Sequence, residues 1–155
     1  MSKNRPEAEI HNDCERLSQI VCNLQRRFLL DLSKDLSRGN VSFPQYLLLG
    51  FLKQQKFLTM TEIAGKMGHT TAAATGLVDR LENLGLVKRN HATDDRRKIK
   101  VHITTDGLAL VEGIRTDMVG NLRRVMDELT PEEQKMWLQI YEKIHTFVQQ
   151  NCPNK

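Results

Sequence analysis

Thr59-Met-Thr-Glu-Ile-Ala-Gly-Lys-Met-Gly-His-Thr-Thr-Ala-Ala-Ala-Thr-Gly-Leu-Val-Asp-Arg-Leu-Glu-Asn-Leu-Gly85 is the stretch on which the fold turns. Its opening Thr59-Met-Thr-Glu62 sets a glutamate three places after a threonine, the pairing of a capping box. A short helix starting there ends at Gly68, a C-cap glycine. Thr70 is placed to cap a second helix over about 71 to 84, since its hydroxyl oxygen can accept from an unpaired backbone N–H of the first turn. Ala72-Ala73-Ala74 begin that helix with the strongest helix former, and Gly85 ends it. Ala74, Leu77, Val78 and Leu81 share one face. Two helices joined by a short glycine-containing turn make a helix-turn-helix.

Immediately downstream, Leu86–His91 and Lys98–Thr104 have β-type content, the second alternating Ile99, Val101 and Ile103 with polar or charged residues. The polar connection Ala92-Thr-Asp-Asp-Arg-Arg97 makes them a hairpin with its basic residues near the tip. A helix-turn-helix followed by a basic hairpin is a winged helix, whose second helix enters the major groove of DNA while the hairpin lies along the backbone or minor groove. His69, Thr70, Thr71, Ala72 and Thr75 then form the base-facing end of the reading helix. It carries no Arg, Asn or Gln for bidentate base contacts, so direct readout rests on threonine hydroxyls and on methyl contacts with thymine. Shape readout through the wing therefore carries an unusual share of the specificity. Arg96 and Lys98 at the tip, with Lys88, suit phosphates, as do Thr59 and Thr61. Arg80 is balanced between a phosphate contact and a surface ion pair with Asp79 or with the neighbours of Asn83.

Outward from this lobe the pattern is helical. Leu17, Ile20, Val21, Leu24, Phe28, Leu32 and Leu36 step by three and four, predicting a long helix from roughly 9 to 37 that Gly39-Asn40 stops. Ser42-Phe43-Pro44-Gln45 is another capping box, with proline in the first turn, opening a helix to about Gln54 whose all-round apolarity predicts burial. Val111, Ile114, Met118, Leu122, Val125 and Leu129 have the spacing of a helix–helix seam. Thr130-Pro131-Glu132-Glu133 caps a last helix with Trp137, Ile140, Tyr141, Ile144 and Val148 on its buried face.

The chain has 155 residues, 39% hydrophobic and 27% charged, with 4 Pro and 9 Gly, which suits one folded domain rather than a disordered or fibrous chain. Its longest apolar run, Tyr46 to Leu52, is far short of a membrane span, and the N-terminus lacks a signal-peptide core. Three cysteines, none in a C-x-x-C pattern, argue against a disulfide framework and structural zinc. A cytoplasmic protein without membrane association or cofactor is expected. The net charge of +4 is unevenly placed, the middle of the chain being basic and the last third acidic.

Three strings, in order, carry a resemblance to a known family: Thr61-Glu-Ile-Ala-Gly-Lys-Met-Gly68, Gly76-Leu-Val-Asp-Arg-Leu-Glu-Asn-Leu-Gly-Leu-Val87, and Asp94-Asp-Arg-Arg97 with Val101-His-Ile-Thr-Thr-Asp-Gly107. They resemble the MarR family of bacterial and archaeal transcription regulators, and the flanking helices extend the resemblance over nearly the whole chain. The resemblance implies a mainly α fold with a small β-hairpin wing, residues 1–155 forming one MarR-like domain. Residues 42–104 are then the winged helix-turn-helix lobe, and 1–37 and 106–155 the dimerisation helices of an obligate homodimer on a pseudo-palindromic site of double-stranded DNA. Arg97 matches the family arginine that enters the minor groove, and Asp95 would orient its guanidinium.

The resemblance also implies a repressor released by a small aromatic effector, for which Phe28, Phe43, Tyr46, Phe51 and Met118 are the candidate pocket. The reactive cysteine of the family's peroxide-sensing branch would fall near Ser18, which neither Cys14 nor Cys22 matches, so Cys22 is expected to be a buried, inert thiol. The five histidines are scattered over different elements, which is unlike the zinc-sensing relatives, though His91 and His102 are positioned to meet across the hairpin. An enzyme is disfavoured by the lack of G-x-S-x-G, phosphate-loop and H-E-x-x-H motifs. A winged-helix interaction module that has lost specific DNA binding stays as the alternative, supported by the weak reading helix and opposed by the intact basic wing.

Overall fold

The computed structural model describes residues 5–91 and 99–151. In chain order the elements are α1 (Glu7–Arg38), α2 (Phe43–Lys53), β1 (Leu58–Thr59), α3 (Met60–Met67), α4 (Thr71–Asn83), β2 (Val87–His91), β3 (Ile99–Ile103), α5 (Thr105–Asp127) and α6 (Pro131–Asn151). The chain divides into two compact units, Met1–Ile114 and Arg115–Lys155. The fold is mainly helical with a small antiparallel sheet, as the sequence reading expects.

Within the first unit several helix boundaries have a local chemical cause. Gln45 accepts from the Ser42 backbone N–H at 2.7 Å and so closes the capping box of α2, its side chain buried in doing so. Glu62 accepts from both the N–H and the hydroxyl of Thr59 at 2.7 Å, while Thr59 Oγ1 accepts from the Glu62 N–H, capping α3. These bonds hold the Glu62 carboxyl below its ordinary pKa. Helices α3 and α4 end alike. Gly68 and Gly85 take left-handed φ of 63° and 72°. The next N–H, of His69 or Leu86, then reaches back to the Ala64 or Leu81 carbonyl, so both are Schellman ends.

Helix α1 ends the same way with one difference: Asn40, not Gly39, adopts the left-handed conformation, at φ 51°. Gly39 is needed for space, since a Cβ there would come within 2.6 Å of Leu110 Cδ1.

The sheet has the order β1-β3-β2 and is antiparallel throughout. Sequence reading finds the hairpin β2–β3 and misses β1, whose two residues are too few for any periodicity. Leu58 pairs with Val101, and both are buried against the helices with Leu48, Leu49, Leu52, Ile63, Val78 and Leu81. Each such side chain contributes about 1.5–3 kcal/mol by leaving water. Ile99 and Ile103, on the same face as Val101, are half-buried. His91 stands opposite Ile99 and His102 opposite Lys88, so the two histidines do not meet as expected.

Start of α5 is tied to the end of α4. Thr104 Oγ1 donates to the Gly85 carbonyl at 2.7 Å and accepts from the Gly107 N–H at 3.1 Å. A Cβ on Gly107 would overlap the Leu86 carbonyl oxygen. This explains the Thr104-x-x-Gly107 spacing. Lys53 and Glu112 form an ion pair at 2.5 Å between α2 and α5.

Two expectations about burial need correcting. Helix α2 is not buried all round, because Phe43 and Leu47 are exposed. No residue of α6 is buried in this chain, and Ile140, Tyr141, Ile144 and Val148 are about half exposed, as are Leu17, Ile20, Val21, Leu24 and Phe28 of α1. Periodicity identified apolar faces correctly but could not say whether this chain itself covers them. In the second unit, Thr130 and Glu133 form the expected capping box, and Gln134 Nε2 donates to the Met126 and Leu129 carbonyls.

Candidate nucleic-acid interface

The N-terminal end of α4 is an exposed platform: His69, Thr70, Thr71, Ala72, Ala73 and Thr75 all face solvent. Thr70 Oγ1 accepts from the Ala73 N–H at 3.3 Å, so this hydroxyl caps the helix. Thr75 Oγ1 donates to the Thr71 carbonyl at 2.8 Å. With its proton used inside the helix, the Thr75 hydroxyl offers a partner only lone pairs and its methyl group. Of the three threonines, Thr71 alone has its hydroxyl in no hydrogen bond among the described residues. The platform is chemically plainer still than its composition suggests.

Besides the packing of Ala74, Val78 and Leu81, α4 is tied to the sheet by a residue that sequence reasoning passed over. Arg89 of β2 lies on the strand face that pairs with Val101, turned toward the helices. Its Nη1 meets Asp79 Oδ1 at 2.5 Å and Glu82 Oε2 at 2.9 Å. Nη2 donates to the Thr75 carbonyl at 3.4 Å, and the Arg89 backbone N–H to Glu82 Oε1 at 3.0 Å. Thr75, Asp79 and Glu82 are spaced four and three apart, one face of the helix. Asp79 therefore pairs with Arg89, and the Asp79–Arg80 ion pair weighed from sequence is not what forms. A cation at an inward-facing strand position, with two carboxylates three apart on the preceding helix, is the signal that could have found this clamp.

Lys88 is exposed on the opposite face of β2. Asp95, Arg96, Arg97 and Lys98 lie outside the described residues. The candidate effector residues are not gathered as a set. A cavity of about 220 Å³ opens between α1 and α2, lined by Leu29, Leu32, Ser33, Leu36, Val41 and Phe43 among others. Phe43 belongs to it; Phe28, Tyr46 and Phe51 do not. Phe51 instead lies under the Lys66 ammonium at 5.6 Å. Met118 is in the second unit. Cys22, expected to be buried, is exposed in this chain, as is Cys14. It borders a shallow groove along α1 with Gln25, Arg26, Leu29 and Leu30.

Helix-turn-helix, three-stranded sheet and capped entry into a long following helix define a winged-helix protein. A family model of the MarR family matches residues 41–99. The chain is 33% identical over 118 residues to the HTH-type transcriptional repressor YetL of Bacillus subtilis, covering 74% of this chain and 69% of YetL. It is 36% identical over 96 residues to the uncharacterized HTH-type transcriptional regulator YfiV of the same organism, covering 62% of this chain and 60% of YfiV. Among solved structures, the S. aureus MepR–DNA complex superposes with a TM-score of 0.73 at 22% identity, covering 84% of this chain and 98% of MepR. The chain belongs to the MarR family of winged helix-turn-helix transcriptional regulators. Among the described residues, no helix is long and apolar enough to cross a membrane.

Proposed function

We propose that this protein is a homodimeric, cytoplasmic transcriptional repressor that binds a pseudo-palindromic site in double-stranded DNA. The observation that carries the reading is the α3–α4 helix-turn-helix with α4 clamped by Arg89 so that His69, Thr70, Thr71, Ala72 and Thr75 are presented together at its exposed end. Arg97 of the wing enters the minor groove, oriented by Asp95, while Arg96, Lys98 and Lys88 meet phosphates. The name of YetL as a repressor supports the direction of control. No catalytic role is assigned, in keeping with the absence of enzyme motifs from the sequence.

The homodimer is supported by the apolar faces of α6, of the first three-quarters of α1 and of the end of α5 at Leu122 and Val125, which repeat at helical spacing and stay exposed in the single chain. A 1–37 and 106–155 dimerisation module around a 42–104 lobe accounts for both the exposure and the periodicity. Two lobes so held place their α4 helices about one DNA turn, roughly 34–36 Å, apart. A small aromatic effector would release the repressor by changing that separation, and the cavity beside Phe43 is its candidate seat. Here the pocket set Phe28, Phe43, Tyr46, Phe51 and Met118 is reduced to Phe43 as the residue the cavity favours.

Selection of duplexes from a random-sequence pool by the purified protein at about physiological salt tests the reading. Enrichment of an inverted repeat with half-sites centred about 10 bp apart is expected. Salt-sensitive binding with no enriched sequence would reject a specific regulator, and no binding at all would favour the interaction-module alternative.

A further inference from the structure

The sheet has a second face, turned away from the helices, of which the proposed interface uses only Lys88. Register assigns its residues. Buried Leu58 and Val101 mark the inner face, so Thr59, Lys100 and Asn90 form one outer row, and His102 and Lys88 lie in the next. Phe57 completes that second row at the mouth of β1, its ring 5.8 Å from the His102 ring. Lys100 Nζ lies 4.4 Å above the Phe57 ring centroid. His102 Nδ1 is 3.0 Å from the Lys56 carbonyl oxygen. Since a carbonyl only accepts, Nδ1 is the donor, and the imidazole is pinned in one orientation. Neither row contains an acidic residue, and the Glu62 carboxylate bordering the first row is taken up by the Thr59 N–H and hydroxyl. Among the described residues Lys56, Lys88 and Lys100 make no ion pair, whereas Arg89 on the inner face is doubly paired.

We propose that this outer face, with Lys100 over Phe57, Lys56 preceding Phe57 in the chain and Lys88 in the adjoining row, binds the phosphodiester backbone of DNA flanking the operator. The inference rests on the proposed function, because the same two strands carry the wing to the minor groove. Lysines that make no ion pair among the described residues suit a phosphate row, and the Phe57 ring holds the Lys100 ammonium at this face. Such contacts carry no sequence information; they lengthen the footprint and steepen the salt dependence.

The test compares the selected inverted repeat trimmed to its ends with the same repeat extended by about one DNA turn, roughly 10 bp, on each side. Wild-type protein is expected to bind the extended duplex more tightly. Its slope of log affinity against log salt should be steeper by about 0.9 for each phosphate neutralised. The double variant Lys56→Gln/Lys100→Gln should lose that gain and keep wild-type affinity for the trimmed duplex. Lys100→Arg, which keeps the charge above the ring, should retain the gain, so that loss through misfolding is separated from loss of charge. Equal wild-type affinity for both lengths, or a gain that survives in the double variant, would overturn the proposal. Equal weakening on both lengths would overturn it too, by moving the lysines into the operator contact. If wild-type protein selects no repeat, it is the regulator reading that fails and the flank proposal falls with it.

Discussion

Arg89 and Glu82 are joined twice, the backbone N–H of Arg89 to Glu82 Oε1 at 3.0 Å and its guanidinium Nη1 to Oε2 at 2.9 Å. A strand of the wing sheet and the reading helix are thereby held by one residue pair, with Asp79 and the Thr75 carbonyl adding two further anchors. The arginine side chain is only 22% exposed, so these charge-assisted bonds are incompletely screened by solvent.

Arg89→Met should accordingly lower stability by about 1–2 kcal/mol, the Glu82 and Asp79 carboxylates being partly solvated already. A double-mutant cycle of Arg89→Met with Glu82→Gln, read by urea denaturation, should give a coupling of at least ~0.5 kcal/mol. Additive effects would show that the bonds contribute nothing jointly. The variant should also discriminate less sharply between its selected repeat and a scrambled duplex than the wild type does.

Gly107→Ala places a methyl group against the Leu86 carbonyl oxygen and within 2.8 Å of Ile103 Cγ1. Backbone cannot retreat as a side-chain end can, so a loss of about 1–3 kcal/mol, or failure to fold, is expected. Gly39→Ala meets only the flexible Leu110 side chain and should cost less. Thermal melts of the two variants side by side would decide the ranking.

Glu62 titrates with the fold. Its carboxyl is lowered by the Thr59 backbone and hydroxyl hydrogen bonds, so the native state binds its proton less readily than the unfolded chain. The associated stability is fully present above the ordinary glutamate value of about 4.3 and drains away as pH falls through the lower folded value. Glu62→Gln should therefore flatten the acid limb of the stability profile below about pH 4.3, with little change in its slope near neutrality. An unchanged acid limb would remove the cap from the account.

Arg97→Ala tests the wing. It should weaken binding to the selected repeat and reduce the salt slope by about one unit. Binding with wild-type affinity and slope would remove Arg97 from the interface.

Exposed apolar faces on α1 and α6 predict self-association. Sedimentation equilibrium should return twice the 17.8 kDa chain mass. Leu24→Arg with Phe147→Asp, both positions well exposed in the single chain, should shift the mass toward one chain. A wild-type monomer would overturn the dimer.

Most of the fold is legible along the chain because it is written in short-range chemistry. The capping boxes at Ser42, Thr59 and Thr130 and the stops at Gly68 and Gly85 each depend on residues within four or five positions. The 3.6-residue periodicity of α1, α5 and α6 is likewise local. The exposed start of α4 was legible as well, since Thr70 capping the helix puts its neighbours at that end.

What needed the tertiary structure are the relationships between elements. Strand β1 exists only because Leu58 and Thr59 find Val101 and Lys100 some forty positions away. Arg89 becomes a clamp only when the sheet turns its side chain onto the Asp79 and Glu82 face of α4, and Lys100 meets Phe57 only across the same pairing. Sequence by itself determined the helices, their ends and the winged-helix order, because backbone hydrogen bonds and caps close within a turn. Tertiary structure decided which charges are neutralised and which remain on the surface, because that depends on register and burial, set by distant segments packing together.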